Sequence, residues 1–319
     1  MARGRLVADI AHVQTTRHDA LAEAQPAAVR SWNPSDGWMA FLFTLPTMVL
    51  LVFIGVFPLI WSLGLSFTRY DFTTSVAPRF VGTLNYARVM SNEDIWSVFV
   101  TTARYAVMAV GAEFVLGFGI ALLLNRSFPG RGLLTTLMLL PMMLSPVIAA
   151  SFWKQMYEPQ WGALNYYVKL LGFPPVEWLA NQKISLVSLA IVDVWQWTPF
   201  MLLISLAGLS AVPRYLYEAA EVDQASNWFK FRHITLPLVW PLLLIALIFR
   251  TMDAVRVFEY PRIMTADAEA TQTITTRLYH FAFPEHNTGL STAFAYIVLV
   301  MIIALTSVYI RYLTRATAK

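Results

Sequence analysis

The sequence predicts an all-α, polytopic membrane protein, and composition and apolar patterning carry this prediction. Only 13% of the 319 residues are charged and 57% are hydrophobic, whereas a soluble domain carries about 25% charged residues. Six separate stretches are long and apolar enough to cross a bilayer, which takes about 20 residues in a helix. The net charge of +4 is small and scattered, so it does not indicate nucleic-acid binding.

The six predicted spans cover residues 38–65, 96–124, 133–157, 184–209, 238–258 and 292–313. Tryptophans stand near the ends of several spans, as amphipathic rings do at membrane interfaces. Pro141 and Pro146 fall inside the third span, so it should be kinked or partly unwound, with the freed carbonyls satisfied inside the protein. The end of the fifth span is ambiguous because charged residues lie within it.

The distribution of charge predicts the orientation. Residues 1–37 mix acidic and basic side chains without an apolar core, unlike a cleavable signal, and are interpreted as a cytoplasmic tail. Basic residues are more frequent in this tail, after the second and fourth spans and at the C-terminus (314–319) than in the other loops, which places both termini inside. The predicted organisation is completed by a first transmembrane helix (38–65), an extracytoplasmic loop (66–95) and a core (96–313) with a polar segment, 211–237.

This polar segment contains "EAAEVDQASNWFKFRHITLP" (218–237), which is too charged to cross a bilayer yet rich in helix formers. Pro213 suits a first helical position, Ser226 is expected to cap a second short helix over 227–233, and Pro237 is expected to start the fifth span. The small side chains of Ala219, Ala220 and Ala225 would let another protein approach the backbone of this polar segment closely. From the residues alone, a docking surface and an amphipathic connector at the membrane surface remain equally open.

The same segment resembles the EAA signature of the membrane subunits of binding-protein-dependent, ATP-driven importers. That signature reads Glu-Ala-Ala, three residues, Gly, nine residues, Ile, any residue, Leu-Pro. Six of its seven fixed positions match, at Glu218, Ala219, Ala220, Ile234, Leu236 and Pro237. The glycine position is Gln224, and glycine adopts a positive φ freely. The departure indicates either a turn that no longer needs a positive φ, which is the interpretation we favour, or a turn that keeps it under strain.

Three further stretches resemble the carbohydrate-uptake branch of these importers, so that the similarity covers roughly residues 38–313. They are "WKQMYEPQWGALN" (153–165), "VWQWTPFMLLISLAGLSAVPRYLYEAA" (194–220) and "FRTMDAVRVFEYPRIMT" (249–265). The branch usually continues with Gly-Gly-Pro, but this chain has Ala266, Asp267 and Ala268. We therefore expect this extracytoplasmic loop to contact a binding protein differently.

The resemblance implies a type I ABC importer permease fold with cytoplasmic EAA coupling helices, in a bacterial cytoplasmic (inner) membrane. It implies a second homologous permease, an ATPase dimer beneath, an extracytoplasmic solute-binding protein and a sugar or sugar derivative as solute. The residues expected to couple to the ATPase are Glu218, Ala219, Ala220, Asp223, Gln224 and Ala225. The chain has no Gly-x-x-x-x-Gly-Lys-Ser/Thr motif, so ATP hydrolysis is assigned to the partner. No cofactor or metal is expected.

Candidate residues of a solute path lie on the fourth and fifth spans. On the fourth span, Pro199 should loosen the helix. Aromatic faces beside a side-chain amide suit a sugar, and the candidate residues around Pro199 are Trp195, Gln196, Trp197, Thr198 and Phe200. On the fifth span Arg250, Asp253 and Arg256 recur at spacing three, so they share a helix face and can pair along it. A polar wall of the path and a purely structural ion-pair ladder are both open, as is the charge of the solute.

Two other classes compete with the importer hypothesis. An ion-coupled secondary transporter or channel would need no ATPase, but such proteins often contain internal repeats, and no motif recurs here. An integral membrane enzyme is the weaker alternative because the histidines lack metal-site spacing. Glu113 and Asp193 are intramembrane carboxylates on separate spans with no partner evident, and the simplest interpretation is that each faces the interior of the bundle alone.

Overall fold

The computed structural model describes residues 36–317, so almost all of the tail predicted over 1–37 lies outside the described residues. The chain divides into two compact units, one ending at Ile60 and the other beginning at Trp61. Helices make up nearly all of the regular structure between residues 36 and 317, which confirms the predicted all-α class.

The first unit contains an apolar helix. α1 (Asp36–Leu51) continues through a π-helical turn (Val52–Val56) into α2 (Phe57–Ser66), whose last residues belong to the second unit. The continuous helix Gly37–Ser66 is long and apolar enough to cross a membrane, as predicted for residues 38–65.

After the last residues of α2, the second unit contains a short hairpin and a helix where the sequence predicted a loop. β1 (Thr68–Arg69) pairs antiparallel with β2 (Arg79–Phe80), and α3 (Leu84–Ser91) follows. Asn85 lies on α3 and is buried, and its amide nitrogen donates to the carbonyls of Ser66 and Thr68 at 2.9 and 2.8 Å. This side chain therefore ties α3 both to the end of α2 and to β1.

The middle of the chain forms the second, third and fourth spans. Their elements are α4 (Glu93–Leu124), α5 (Arg131–Leu139), a 3₁₀ turn (Pro141–Met143), α6 (Pro146–Met156), α7 (Ala163–Leu170) and α8 (Ser185–Ala211). The helices on either side of Leu144 are bent by 95°, so the third span is broken where Pro141 and Pro146 predicted a kink.

The C-terminal part of the chain carries the coupling segment and the last two spans. Its elements are α9 (Arg214–Val222), α10 (Asn227–Lys230), a π turn (Phe231–Thr235), α11 (Leu236–Val255), α12 (Glu259–Met264), a 3₁₀ turn (Glu269–Thr271), α13 (Ile274–Ala282) and α14 (Thr288–Thr317). Within residues 36–317, five helices are long and apolar enough to cross a membrane, and the bent pair makes six.

Two boundaries of the coupling segment differ from the prediction. Pro213 is the N-cap of α9 rather than its first residue. Pro237 does not start the fifth span, because α10, the π turn and α11 form one continuous helix from Asn227. Proline supplies no amide N–H, and the wider turn that precedes Pro237 accommodates it without ending the helix.

The core of the second unit lies where α4, α8 and α11 pack together, with Tyr105, Leu189 and Ala246 fully or almost fully buried. Glycine lets these helices approach closely. A Cβ added to Gly117 of α4 would lie 2.5 Å from Cβ of Met201 on α8. Small residues at helix crossings serve this purpose in membranes, where packing rather than water exclusion holds helices together.

We expect Gly117→Val to lower the thermal unfolding midpoint of the purified protein, because the new side chain must force α4 and α8 apart at a cost of about 1–3 kcal/mol. Gly111→Val is the matched control on the same helix, since nothing lies within 4 Å of a Cβ built there. Equal midpoints for the two variants would contradict the close packing of α4 on α8.

Candidate functional site

A polar cavity of about 370 Å³ opens where the fourth and fifth spans meet the break in the third. α6 contributes its first residue, α8 and α11 contribute charged and aromatic side chains, and the start of α12 closes one side. The lining residues are Pro146, Asp193, Trp197, Arg250, Asp253, Ala254, Arg256, Val257, Glu259 and Tyr260. Of the predicted path residues, the structure therefore brings Trp197, Arg250, Asp253 and Arg256 to one cavity.

Arg250 lies at the base of this cavity and is only 2% exposed. Its Nε donates to Oε2 of Glu113 at 2.7 Å and its Nη2 to Oε1 of the same carboxylate at 2.9 Å. The same Nη2 donates to both carboxylate oxygens of Asp193, at 3.1 and 3.2 Å. A two-pronged arginine–carboxylate contact fixes distance and orientation together, so one side chain of α11 ties down α4 and α8.

The partners of Glu113 and Asp193 correct the interpretation that each carboxylate faces the interior alone. Both are buried, and both bind Arg250. The sequence offered no spacing rule for this cluster because its members lie 57 and 137 residues from Arg250. A buried charge is tolerated only when paired and hydrogen-bonded, and the burial of all three side chains depends on this arrangement.

The predicted pairing along the fifth span is confirmed. Nη1 of Arg250 lies 3.6 Å from Oδ2 of Asp253, and Nη2 of Arg256 lies 3.4 Å from Oδ1 of Asp253. Burial decreases steeply along this face, since Arg250 is hidden while Asp253 and Arg256 are more than half exposed. The ladder thus runs from the protein interior into the open cavity.

The aromatic residues of the fourth span occupy different surroundings. The guanidinium of Arg250 lies 4.9 Å from the ring centre of Trp197, a cation–π distance. Trp195 packs edge-on against Trp153 at 5.6 Å, and Phe200 packs against the hydrophobic core. Thr198 is buried, and its hydroxyl has no hydrogen-bond partner among residues 36–317. Only Trp197 of this group lines the cavity, and a role of the others in solute contact stays a prediction.

Gln196 is fully buried and links the fourth span to the broken third span. Its Nε2 donates to the carbonyl of Leu144 at 2.8 Å, and its Oε1 accepts from the hydroxyl of Tyr260 at 2.7 Å. The carbonyl freed at the break is thus satisfied inside the protein, as predicted. The loosening expected at Pro199 does not interrupt α8, which runs through this buried proline as one helix.

A second concavity, of about 510 Å³, lies on the coupling segment. We call it the coupling groove, and it is lined by Leu216, Ala219, Ala220, Asp223, Ala225, Ser226, Phe229 and Ile234. Four of the predicted coupling residues line it, whereas Glu218 and Gln224 are exposed outside the lining. Among the residues that the structure describes, the side chain of Glu218 makes no hydrogen bond or ion pair.

Three side-chain contacts hold the groove in shape. The hydroxyl of Ser226 accepts from the amide of Phe229 at 3.2 Å, which confirms the predicted helix cap. Lys230 pairs with Glu221 at 3.0 Å, and the hydroxyls of Tyr217 and Thr235 lie 2.7 Å apart. The last two contacts bridge α9 to the start of the fifth span, so the segment is a folded unit rather than a slack connector.

The turn at Gln224 is the one that the sequence interpretation got wrong. Gln224 adopts a φ of +52°, the left-handed conformation that a glycine would favour. Its amide donates to the carbonyl of Glu221 at 3.0 Å, and the amide of Ala225 donates to the carbonyl of Ala220 at 2.8 Å. This pair of bonds is a Schellman motif, which places its C′ residue in that conformation. The turn keeps its geometry although the glycine is replaced.

The loop after Thr265 also keeps positive φ values at positions where glycines are absent. Ala266 and Asp267 have φ values of +51° and +60°, at the positions where the resembling branch has two glycines. Asp267 is buried, and its Oδ2 accepts from Nη1 of Arg262 at 2.7 Å and lies 2.9 Å from Nε2 of His280. These contacts stabilise the strained loop. In the sequence, the only sign that this position is unusual is the absence of the two glycines.

The fold and the cavity define a class: a polytopic helical membrane protein with a charged cavity between its spans and a folded polar segment outside them. A family model described as "Binding-protein-dependent transport system inner membrane component" matches residues 113–319. The chain belongs to this family. It is therefore an inner-membrane transport component, as the EAA resemblance predicted, and the enzyme alternative is not supported.

Curated relatives and a solved structure agree with this assignment. The "Trehalose/maltose transport system permease protein MalF" of Thermococcus litoralis is 37% identical over 277 residues, covering 86% of this chain and 92% of the relative. The "Trehalose transport system permease protein SugA" of Mycobacterium tuberculosis is 32% identical over 273 residues, covering 86% and 88%. A chain of a bacterial ABC transporter for the import of alginate superposes with a TM-score of 0.75 at 22% identity, covering 87% and 96%. The predicted importer permease fold is confirmed.

We expect Arg250→Met to destabilise the protein by about 3–5 kcal/mol, because it leaves two buried carboxylates without a cation. The measurement is thermal unfolding of the purified protein. The triple variant Glu113→Gln, Asp193→Asn, Arg250→Met removes all the buried charge and should regain much of the loss. An Arg250→Met protein as stable as the wild type would show that the cluster does not hold the three spans.

We expect Gln224→Gly to stabilise the coupling segment by about 1 kcal/mol, since glycine adopts a positive φ without the side-chain penalty. Amide hydrogen exchange across 216–226 should slow in the glycine variant. Gln224→Ala is the control and should show no such gain, because alanine meets the same backbone penalty. Faster exchange in Gln224→Gly would mean that the glutamine side chain stabilises the turn.

Proposed function

We propose that this chain is a permease subunit of a sugar importer and that ATP hydrolysis by a separate subunit drives it through the coupling groove. The observation that carries the proposal is the polar cavity at the junction of the third, fourth and fifth spans, with Trp197 and a charged helix face in its wall. A sugar presents an apolar C–H face and a rim of hydroxyls, which suit an aromatic ring and polar groups respectively. The relatives named for trehalose and maltose support this solute class.

The solute path forms where this chain meets a second homologous permease. In that arrangement the cavity supplies one wall, with Trp197, Asp253 and Arg256 reaching the solute directly. Gln196 does not reach the solute but positions the cavity wall. Its hydrogen bonds with the carbonyl of Leu144 and the hydroxyl of Tyr260 fix the broken third span against α8. Trp195 and Phe200 pack against other parts of the protein and Thr198 is buried, so these three residues support the helix from outside the cavity lining.

The coupling groove receives a surface of a cytoplasmic ATPase dimer. Small side chains, Ala219 and Ala225 among them, leave room for an incoming helix or loop. Glu218 is exposed beside the groove, where a carboxylate can form a charge-assisted hydrogen bond with a basic partner residue. With the groove in the cytoplasm both chain termini lie there as well, and the cavity opens toward an extracytoplasmic solute-binding protein at one stage of transport.

We expect Ala219→Trp and Glu218→Lys to reduce co-purification of the ATPase subunit or to uncouple ATP hydrolysis from uptake. The first variant fills the groove and the second reverses a charge beside it. Both residues are exposed, so membrane insertion of the chain should be unaffected. The assay is solute-stimulated ATP hydrolysis and uptake by the assembled transporter in proteoliposomes.

Ser127→Trp provides the control for these variants. Ser127 is exposed on the turn between the second and third spans, which the basic residues place on the same side of the membrane. A tryptophan there should leave ATPase stimulation and uptake unchanged. Wild-type coupling in both Ala219→Trp and Glu218→Lys would refute the docking role of the groove.

A further inference from the structure

The charges around the polar cavity do not balance. Its lining contains three carboxylates, from Asp193, Asp253 and Glu259, and two guanidiniums, from Arg250 and Arg256. A fourth carboxylate, that of Glu113, is bound directly behind Arg250. Even a proton held between the two buried carboxylates would leave more negative than positive charge at this wall.

Arg250 is not available to a solute. Its hydrogen-bonding nitrogens are directed to Glu113, Asp193 and Asp253, and it is almost completely buried. Glu113 and Asp193 together already outweigh its single positive charge. An anionic group entering the cavity therefore gains little from this arginine.

Of the other cations on these elements, Arg256 and Arg262 are paired with carboxylates, whereas Lys154 keeps its charge but lies outside the cavity lining. Arg256 pairs with Asp253 at 3.4 Å and donates to the carbonyl of Met252 at 3.3 Å. On the neighbouring helices, Lys154 donates to the carbonyl of Ile263 at 2.9 Å, and Arg262 is bound to Asp267 at 2.7 Å. The exposed part of the ion-pair ladder is therefore the guanidinium of Arg256 together with the carboxylate of Asp253 to which it is bound.

Glu259 supplies the excess negative charge that faces the cavity. It is the first residue of α12 and is half-buried. Within residues 36–317 its side chain makes no hydrogen bond or ion pair, so its carboxylate is free to accept hydrogen bonds from a solute. A carboxylate accepts strong hydrogen bonds from hydroxyl groups and repels a phosphate, sulfonate or carboxylate on a solute.

We propose that Glu259 is a specificity-determining residue and that this wall selects a neutral, polyhydroxylated solute over an anionic one. The proposal rests on the proposed function, since it assigns the cavity to the solute path. Asp253 and Glu259 accept hydrogen bonds from solute hydroxyls, and Trp197 offers an apolar ring beside them. The two arginines balance charge within the wall instead of binding a solute anion.

The charge of the wall can be measured without knowing the solute, because the chain contains no cysteine. A single cysteine is introduced by Pro146→Cys at the edge of the cavity in the assembled transporter. Two methanethiosulfonate reagents then modify it, one carrying a trimethylammonium group and the other a sulfonate. Mass spectrometry of this subunit alone gives both rates, and the same two rates on free cysteine normalise their ratio.

We expect the normalised ratio of cationic to anionic rates to exceed one and to fall about fourfold in Glu259→Gln, as the loss of one charge at roughly 10 Å in a solvated cavity predicts. Glu269→Gln is the control, because Glu269 is exposed outside the cavity lining. A ratio below one, or a ratio that Glu259→Gln leaves unchanged, overturns the proposal.

Uptake of two matched sugars by proteoliposomes with the transporter and its binding protein completes the test. Trehalose should accumulate, whereas trehalose 6-phosphate should not, and equal rates for the two would overturn the proposed selectivity. If neither sugar accumulates with any binding protein encoded beside the permease, sugar import fails as the proposed function. The thiol measurement still decides the charge of the wall in that case, so the two failures are distinguishable.

Discussion

The contact between Arg250 and its two buried carboxylates is the constraint from which the arrangement of the spans follows. An isolated charge near the middle of a membrane costs about 2.5–3.5 kcal/mol on insertion scales, and here three charges are buried together. Each is tolerable only if the others are within hydrogen-bonding distance, so α4, α8 and α11 have one acceptable register. The glycine at the crossing of α4 and α8 lets the backbones come close enough for that register to form.

Much of the fold was readable from the sequence because its signals are local. Long apolar runs and the paired prolines predicted the spans and the break in the third, and the spacing of Arg250, Asp253 and Arg256 predicted their pairing. Contacts between distant segments gave no such signal. Nothing in the chain marks Gln196 as the partner of a carbonyl 52 residues earlier, and the Glu113–Arg250–Asp193 cluster is equally invisible. An unpaired intramembrane carboxylate was the available clue, since such a charge requires a partner somewhere in the fold.

The two turns with missing glycines show a different limit of sequence reasoning. At Gln224 the replacement suggested a different turn, yet the backbone bonds of the Schellman motif hold the same geometry. At Ala266 and Asp267 the side-chain contacts of Asp267 with Arg262 and His280 stabilise the backbone. In both places surrounding hydrogen bonds outweigh a local penalty of about 1–3 kcal/mol. The loss of a glycine therefore indicates that the turn has become less stable, but it does not indicate that the backbone conformation has changed.

The continuity of the helix that begins at Asn227 has a mechanical consequence. Phe229 in the coupling groove and Arg250 in the buried cluster stand on the same helix, about 30 Å apart at 1.5 Å per residue, with only a π turn between them. A helix held near one end by the two-pronged contact of Arg250 acts as a lever, since a force applied at its other end rotates it about that point. The cavity residues beyond Arg250 are on the short arm of that lever, so a displacement of several ångströms at the groove would reach Asp253 and Arg256 as a small, opposite tilt.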